Sequence, residues 1–155
     1  MQYITNSEKE TKKVAESLAK WMQQSLRPRA QGRVAHHGNI VALTGELGAG
    51  KTTFVQGFAK GLGIKEKIIS PTFVLIRQHK IPDNNKVLFH VDLYRLNNMK
   101  DLKQLGLEEI WSDPKNIVLI EWADKIKNLL PKEVIKIYLK VVNTTTRKIT
   151  LHGSL

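Results

Sequence analysis

Residues 45–52, Gly45-Glu46-Leu47-Gly48-Ala49-Gly50-Lys51-Thr52, satisfy the pattern G-x-x-x-x-G-K-[ST] at every fixed position, and no other stretch constrains the fold as strongly. The run before it, Asn39-Ile40-Val41-Ala42-Leu43-Thr44, is short, apolar and β-branched, suited to a buried strand. Residues 53–62 after it can continue as a helix. In that setting glycines let the backbone approach an anion, so that successive N–H groups and the helix N-terminus point at phosphates. Lys51 adds a cation at the β/γ oxygens, and the Thr52 hydroxyl is placed to ligate Mg²⁺. The plainer alternative is a Gly-rich turn opening an ordinary helix. With Gly at roughly 7% of residues, the fixed positions coincide by chance in well under about one chain of this length in a hundred. A nucleoside triphosphate site is therefore expected.

Around this loop the pattern predicts an α/β fold: a single P-loop NTPase-like domain over residues 1–155, with a mixed, mostly parallel central sheet flanked by helices and with antiparallel hairpins. Tyr3-Ile4 reads as a short strand, and Ser7-Glu8-Lys9-Glu10 has the S-x-x-E form of a capping box. The helix it opens presents Val14, Leu18, Trp21 and Leu26 on one face until Pro28 stops it. Residues 27–38 read as a connecting loop; its adjacent His36 and His37 lack i, i+4 spacing and a nearby carboxylate, so they are read as exposed loop residues, not metal ligands. The helix after the phosphate loop ends around Gly61 and Gly63. Residues 73–79 and 86–92 are strands around the turn signal 82–85, an antiparallel hairpin. A polar helical stretch broken by Gly106 runs to Trp111, residues 123–130 form a short helix, and 133–141 with 147–151 form a C-terminal hairpin.

A chain of 155 residues with 41% hydrophobic and 25% charged residues can bury the core of one domain. No apolar run approaches the length of a membrane span, and the N-terminus lacks the layout of a signal peptide; a cytoplasmic location without membrane attachment is expected. The absence of Cys excludes disulfides, thiolate zinc sites and thiol catalysis. The net charge of +11 fits either a polyanionic partner or a solvated surface. Because the lysines are dispersed, with no run of five like charges and no basic–aromatic interleaving, the solvated surface is favoured.

Two strands end in a carboxylate. Lys86-Val87-Leu88-Phe89-His90-Val91 closes on Asp92, and Asn116-Ile117-Val118-Leu119-Ile120 closes on Glu121. In a mostly parallel sheet the carboxyl ends of strands face the crevice in which the phosphate loop lies. Asp92 and Glu121 are therefore expected on the Mg²⁺ side, as metal ligands or as groups that orient the attacking water. The alternative for each is a helix cap or a surface charge. Ser70-Pro71-Thr72 reads either as a loop with accessible hydroxyls or as a plain turn into the next strand, and the spacing alone favours the plain turn.

Together, residues 45–53, Ser70-Pro71-Thr72-Phe73, His90-Val91-Asp92-Leu93-Tyr94-Arg95-Leu96 and Ile120-Glu121-Trp122 resemble the TsaE (YjeE) family, small ATPases of bacterial tRNA threonylcarbamoyladenosine biosynthesis. The resemblance covers about residues 7–139. It implies that Gly48, Ala49, Gly50, Lys51, Thr52 and Thr53, at the loop opened by Gly45, bind the phosphates of ATP and that Thr52 binds Mg²⁺. It further implies that Thr72 lies in a switch-like loop, that Asp92 and Glu121 stand at the metal, that Trp122 is beside the nucleotide, and that Ser7 lies near the base. Lys51, Asp92 and Glu121 are the implied catalytic set. TsaB-like and TsaD-like proteins are the implied partners, with tRNA reached at least through them, for modification of the adenosine next to the anticodon. The loop at 27–37 is longer and more basic than a minimal member needs.

Two other classes compete with a hydrolysing ATPase. A P-loop nucleotide or metabolite kinase would need an acceptor pocket and a cationic lid; no Arg-rich lid stands out, although Arg77 and Arg95 could serve. A nucleic-acid-binding module with a regulatory nucleotide would use the positive charge. No Asn-Lys-x-Asp segment marks a guanine-nucleotide switch.

Overall fold

The computed structural model describes residues 1–25, 39–82 and 85–153. Expectations that fall on Leu26, the stop at Pro28, the loop 27–38 with His36 and His37, and the turn residues Asp83 and Asn84 lie outside the described residues. The elements run β1 (Gln2–Thr5), α1 (Glu8–Ser25), β2 (Ile40–Thr44), α2 (Lys51–Gly61), β3 (Ile76–Lys80), β4 (Val87–Asp92), α3 (Met99–Gln104), α4 (Leu107–Ser112), β5 (Asn116–Glu121), a 3-10 turn (Ala123–Ile126), β6 (Ile135–Val141) and β7 (Arg147–His152).

The seven strands form one sheet in the order β1-β7-β6-β2-β5-β4-β3. β6, β2, β5 and β4 are mutually parallel, which makes the sheet mixed and parallel in its middle. β3 closes one side as the antiparallel hairpin partner of β4, while on the other side β7 runs antiparallel to β6 and β1 antiparallel to β7. β2 and β5 are buried along nearly their whole length, as continuous apolar strands covered on both faces should be. β6 instead alternates buried Ile135, Ile137 and Leu139 with exposed Lys136, Tyr138 and Lys140, because one of its faces is packed and the other is not.

On the packed face lie α1 and α2, with Phe54, Phe58, Leu18 and Met22 meeting Val41, Leu43 and Leu119 of the sheet. α3, α4 and the 3-10 turn cover Ala42, Val91, Val118 and Ile120 on the opposite face. α1 begins as the capping box requires: Glu10 N–H donates to Ser7 Oγ at 3.2 Å. The returning Glu10 carboxylate accepts from Asn6 N–H at 2.7 Å, one residue earlier than the simple motif.

Two expected elements are shorter than their sequence patterns. The strand expected from residue 73 starts at Ile76, because Pro71 O accepts from both Val74 N–H and Leu75 N–H and curls 71–75 into a turn. The helix expected over 123–130 has only the 3-10 turn Ala123–Ile126, where the i→i+3 bond from Lys125 N–H to Trp122 O replaces an α-helical register. No helix among the described residues is long and apolar enough to cross a membrane.

α1 and α2 approach so closely that a Cβ on Gly57 would lie 2.4 Å from Lys12 O. Gly57→Ala should therefore destabilise the protein by about 1–3 kcal/mol through overpacking against backbone, although Ala is the better helix former by about 1 kcal/mol. Chemical denaturation checks this, and stability equal to wild type would mean that α1 retreats freely.

Candidate functional site

The loop between β2 and α2 is shaped by contact with β6 as well as by its own glycines. A Cβ on Gly45 would sit 2.3 Å from Leu139 O, so only hydrogen fits between the loop and that strand. Gly50, with φ 95°, is the left-handed cap from which α2 starts. Ala49 N–H donates to Glu46 O at 3.1 Å and Phe54 N–H to Gly50 O at 2.9 Å. The backbone N–H groups of the first turn of α2 stand before any intrahelical acceptor, which makes this end a cradle for an anion.

Lys51 is 5% exposed. Its ammonium donates to Gly45 O at 2.7 Å and Glu46 O at 2.9 Å and lies 3.7 Å from the ring centre of Trp122. Trp122 takes a left-handed backbone conformation, φ 60°, directly after β5, and its ring is tilted against Tyr94 at 5.1 Å between centres. Burial pushes the Lys51 pKa below its ordinary value, opposed chiefly by the Glu121 and Asp92 carboxylates.

Sheet register brings the two strand-end carboxylates together, Asp92 pairing with Glu121 across β4 and β5. Both are almost wholly buried. Thr52 Oγ1 donates to the Glu121 carboxylate at 3.0–3.2 Å, which joins the start of α2 to the end of β5. Asp92 Oδ2 accepts from Ser70 Oγ at 2.6 Å and Thr72 Oγ1 at 2.7 Å, and Oδ1 accepts from Tyr94 N–H at 2.9 Å. The hydroxyls flanking Pro71 thus belong to the site. Thr52, Glu121 and Asp92 form a set of hard oxygen donors of the kind that suits Mg²⁺ with phosphate and water as further ligands.

Ser7 and Thr53 line a cleft of about 370 Å³ that includes neither Asp92 nor Glu121, with Glu8, Gly48, Gly50, Thr145 and Arg147. Arg147 was not singled out from the sequence. Its guanidinium donates to Gly48 O at 3.3 Å and to carbonyls of the 143–146 turn. His90 was also passed over; fully buried, its Nε2 lies 2.7 Å from Glu121 Oε1. A signal for His90 was present, since it stands two residues before Asp92 on a strand and so shares its face. Nothing local marks Arg147, which comes from the far end of the chain.

The family model described as "Threonylcarbamoyl adenosine biosynthesis protein TsaE" matches residues 5–149. The tRNA threonylcarbamoyladenosine biosynthesis protein TsaE of Rickettsia bellii is 41% identical over 147 residues, covering 94% of this chain and 90% of its own. That of Bacillus subtilis is 40% identical over 116 residues, 75% of this chain and 70% of its own. The crystal structure of Bacillus subtilis YdiB superposes with a TM-score of 0.73 at 33% identity, covering 99% of this chain and 84% of that one.

A lysine with a depressed folded pKa binds fewer protons folded than unfolded between that value and its ordinary one, so the cost of burying its charge is relieved as pH rises through that window. The stability of the wild type relative to Lys51→Met should accordingly increase on going from neutral to alkaline pH. Thermal melts of both proteins across that range check the sign, and parallel curves would contradict the burial assigned to Lys51.

Proposed function

The chain belongs to the TsaE family of threonylcarbamoyl adenosine biosynthesis proteins, and from that membership we propose that it is a Mg²⁺-dependent ATPase. In this reading it supports formation of the threonylcarbamoyl group on a tRNA adenosine, together with TsaB-like and TsaD-like proteins. The observation that carries the reading is the bond from Thr52 at the first turn of α2 to the buried Glu121 at the end of β5, with Lys51 beside it.

Each side chain has a part that follows from its position. The first-turn N–H groups of α2 receive phosphate oxygens, and Lys51 exchanges the Gly45 and Glu46 carbonyls for them. Thr52, Glu121 and Asp92 would hold the ion. When bound, Mg²⁺ supplies charge neutralisation at the β- and γ-phosphate oxygens. Asp92, gripped by Ser70 and Thr72, ties the metal side of the site to the 70–75 turn. That turn is the proposed sensor of the γ-phosphate, because a change at Asp92 alters the hydroxyls that fix the turn. Nucleotide can drive a partner cycle only if the partner binds the two nucleotide states with different affinity. Slow turnover by the isolated chain is expected. Ser7, Thr53 and Arg147 frame the cleft proposed for the base and ribose.

Lys51→Ala should abolish MgATP binding, read as loss of the nucleotide-induced rise in melting temperature; an undiminished rise rejects the site. Thr52→Ala should first weaken the Mg²⁺ dependence. Asp92→Ala and Glu121→Ala should fold but lower turnover by about 10²-fold or more. Partner affinity should differ between a non-hydrolysable ATP analogue and ADP, and Thr72→Ala should narrow that difference. Equal affinities for the wild type would reject the coupling, and phosphorylation of a small molecule by the purified chain would replace it with a kinase.

A further inference from the structure

The charge that looks dispersed along the sequence is gathered by strand pairing. β6 and β7 are antiparallel with Lys136 opposite His152, Tyr138 opposite Thr150 and Lys140 opposite Lys148. Since Ile135, Ile137, Leu139, Ile149 and Leu151 point into the core beneath α1 and α2, these six side chains all project from the other face. There α3, α4 and the 3-10 turn cover β2, β4 and β5, whereas Lys136, Tyr138, Lys140 and His152 are exposed and Lys148 and Thr150 half-buried.

Three properties suit this face to a polyanion. β1, β6 and β7 carry no Asp or Glu, and none of the three lysines has an ion-pair partner among the described residues. Lys140 and Lys148 are direct cross-strand neighbours, which places like charges on Cβ atoms about 4.5–5.5 Å apart, an arrangement that costs stability unless an anion sits between them. Lys136 lies on the same strand about 13 Å further on. Between these two positive ends stands Tyr138, 45% exposed, its ring held edge-on by His152 at 5.6 Å and 85°. The other lysine-rich surface, on α1 and α2, lacks this character: Glu16 pairs with both Lys20 and Lys60, and no aromatic side chain lines it.

We propose that the uncovered face of β6 and β7 binds single-stranded RNA, with Lys136, Lys140 and Lys148 engaging phosphates and Tyr138 stacking on a base. Cations spaced along a strand about an exposed ring suit a backbone that alternates charge with flat apolar bases. This goes beyond the proposed ATPase reading, in which RNA is reached through partners. It does not depend on nucleotide binding by the phosphate loop.

The test is fluorescence anisotropy with a labelled twelve-nucleotide oligouridine at salt concentrations from low to physiological. The wild type should bind, and combined Lys136→Ala, Lys140→Ala and Lys148→Ala should flatten the salt slope by about two, from about 0.7 per phosphate contact on a single strand. Tyr138→Ala should weaken binding about tenfold, and Tyr138→Phe should restore it. Lys12→Ala, Lys13→Ala and Lys20→Ala together, an equal loss of charge on α1, should leave the slope nearly unchanged. Melting temperatures of the β6 and β7 lysine variants should equal or exceed that of the wild type, since a like-charge pair is removed. No binding by the wild type overturns the proposal, as does equal weakening by the α1 substitutions. Lysine-dependent binding to phosphatidylserine vesicles without binding to the RNA would overturn it in favour of a lipid surface.

Discussion

The Glu121 carboxylate is the point at which the elements that form the site meet. It is 2% exposed, and a carboxylate so far from water is costly unless donors surround it. Thr52 reaches it from the first turn of α2, and His90 meets it from β4. A helix start and two neighbouring strands are thereby pinned to one point. Leu43, the residue before the last of β2, pairs with Glu121 in the sheet, so the strand that feeds the phosphate loop is fixed to the same place.

The loop itself is held from three directions. Leu139 of β6 presses its carbonyl against Gly45, Arg147 of β7 reaches Gly48, and Lys51 folds back on the carbonyls of Gly45 and Glu46. The C-terminal hairpin is thus part of the site's frame and not merely an extension of the sheet. On the helical side, the close approach at Gly57 seats α2 against α1 and fixes where its first turn points.

Much of this was legible in the sequence, because the signals were local. The octet 45–52 with a β-branched run before it specified strand, loop and helix; alternation over 135–141 specified a half-covered strand; and the strand-end positions of Asp92 and Glu121 led to the expectation that both stand on the loop's side of the sheet, where register pairs them and Thr52 reaches Glu121. What was not legible depends on register. The contact of His90 with Glu121 exists only once β4 and β5 are paired, and the approach of Arg147 to Gly48 spans 99 positions. The basic face has the same origin: Lys136, Tyr138 and Lys140 read as ordinary outward residues until β7 lays Lys148 and His152 beside them. The turn at 71–75 defeated the strand pattern because Val74 and Leu75 are β-favouring or apolar by type, while the carbonyl of Pro71 claims their N–H groups.

The internal hydrogen bonds of Lys51, Thr52 and Asp92 have a consequence for how such a site responds to a ligand. Each of these groups already has protein partners of good geometry, so a ligand that engages them trades one set of bonds for another and adds few. Under the proposed function, the groups that would gain a partner outright are the first-turn N–H groups of α2, so the helix start and not the side chains would supply most of the new bonds.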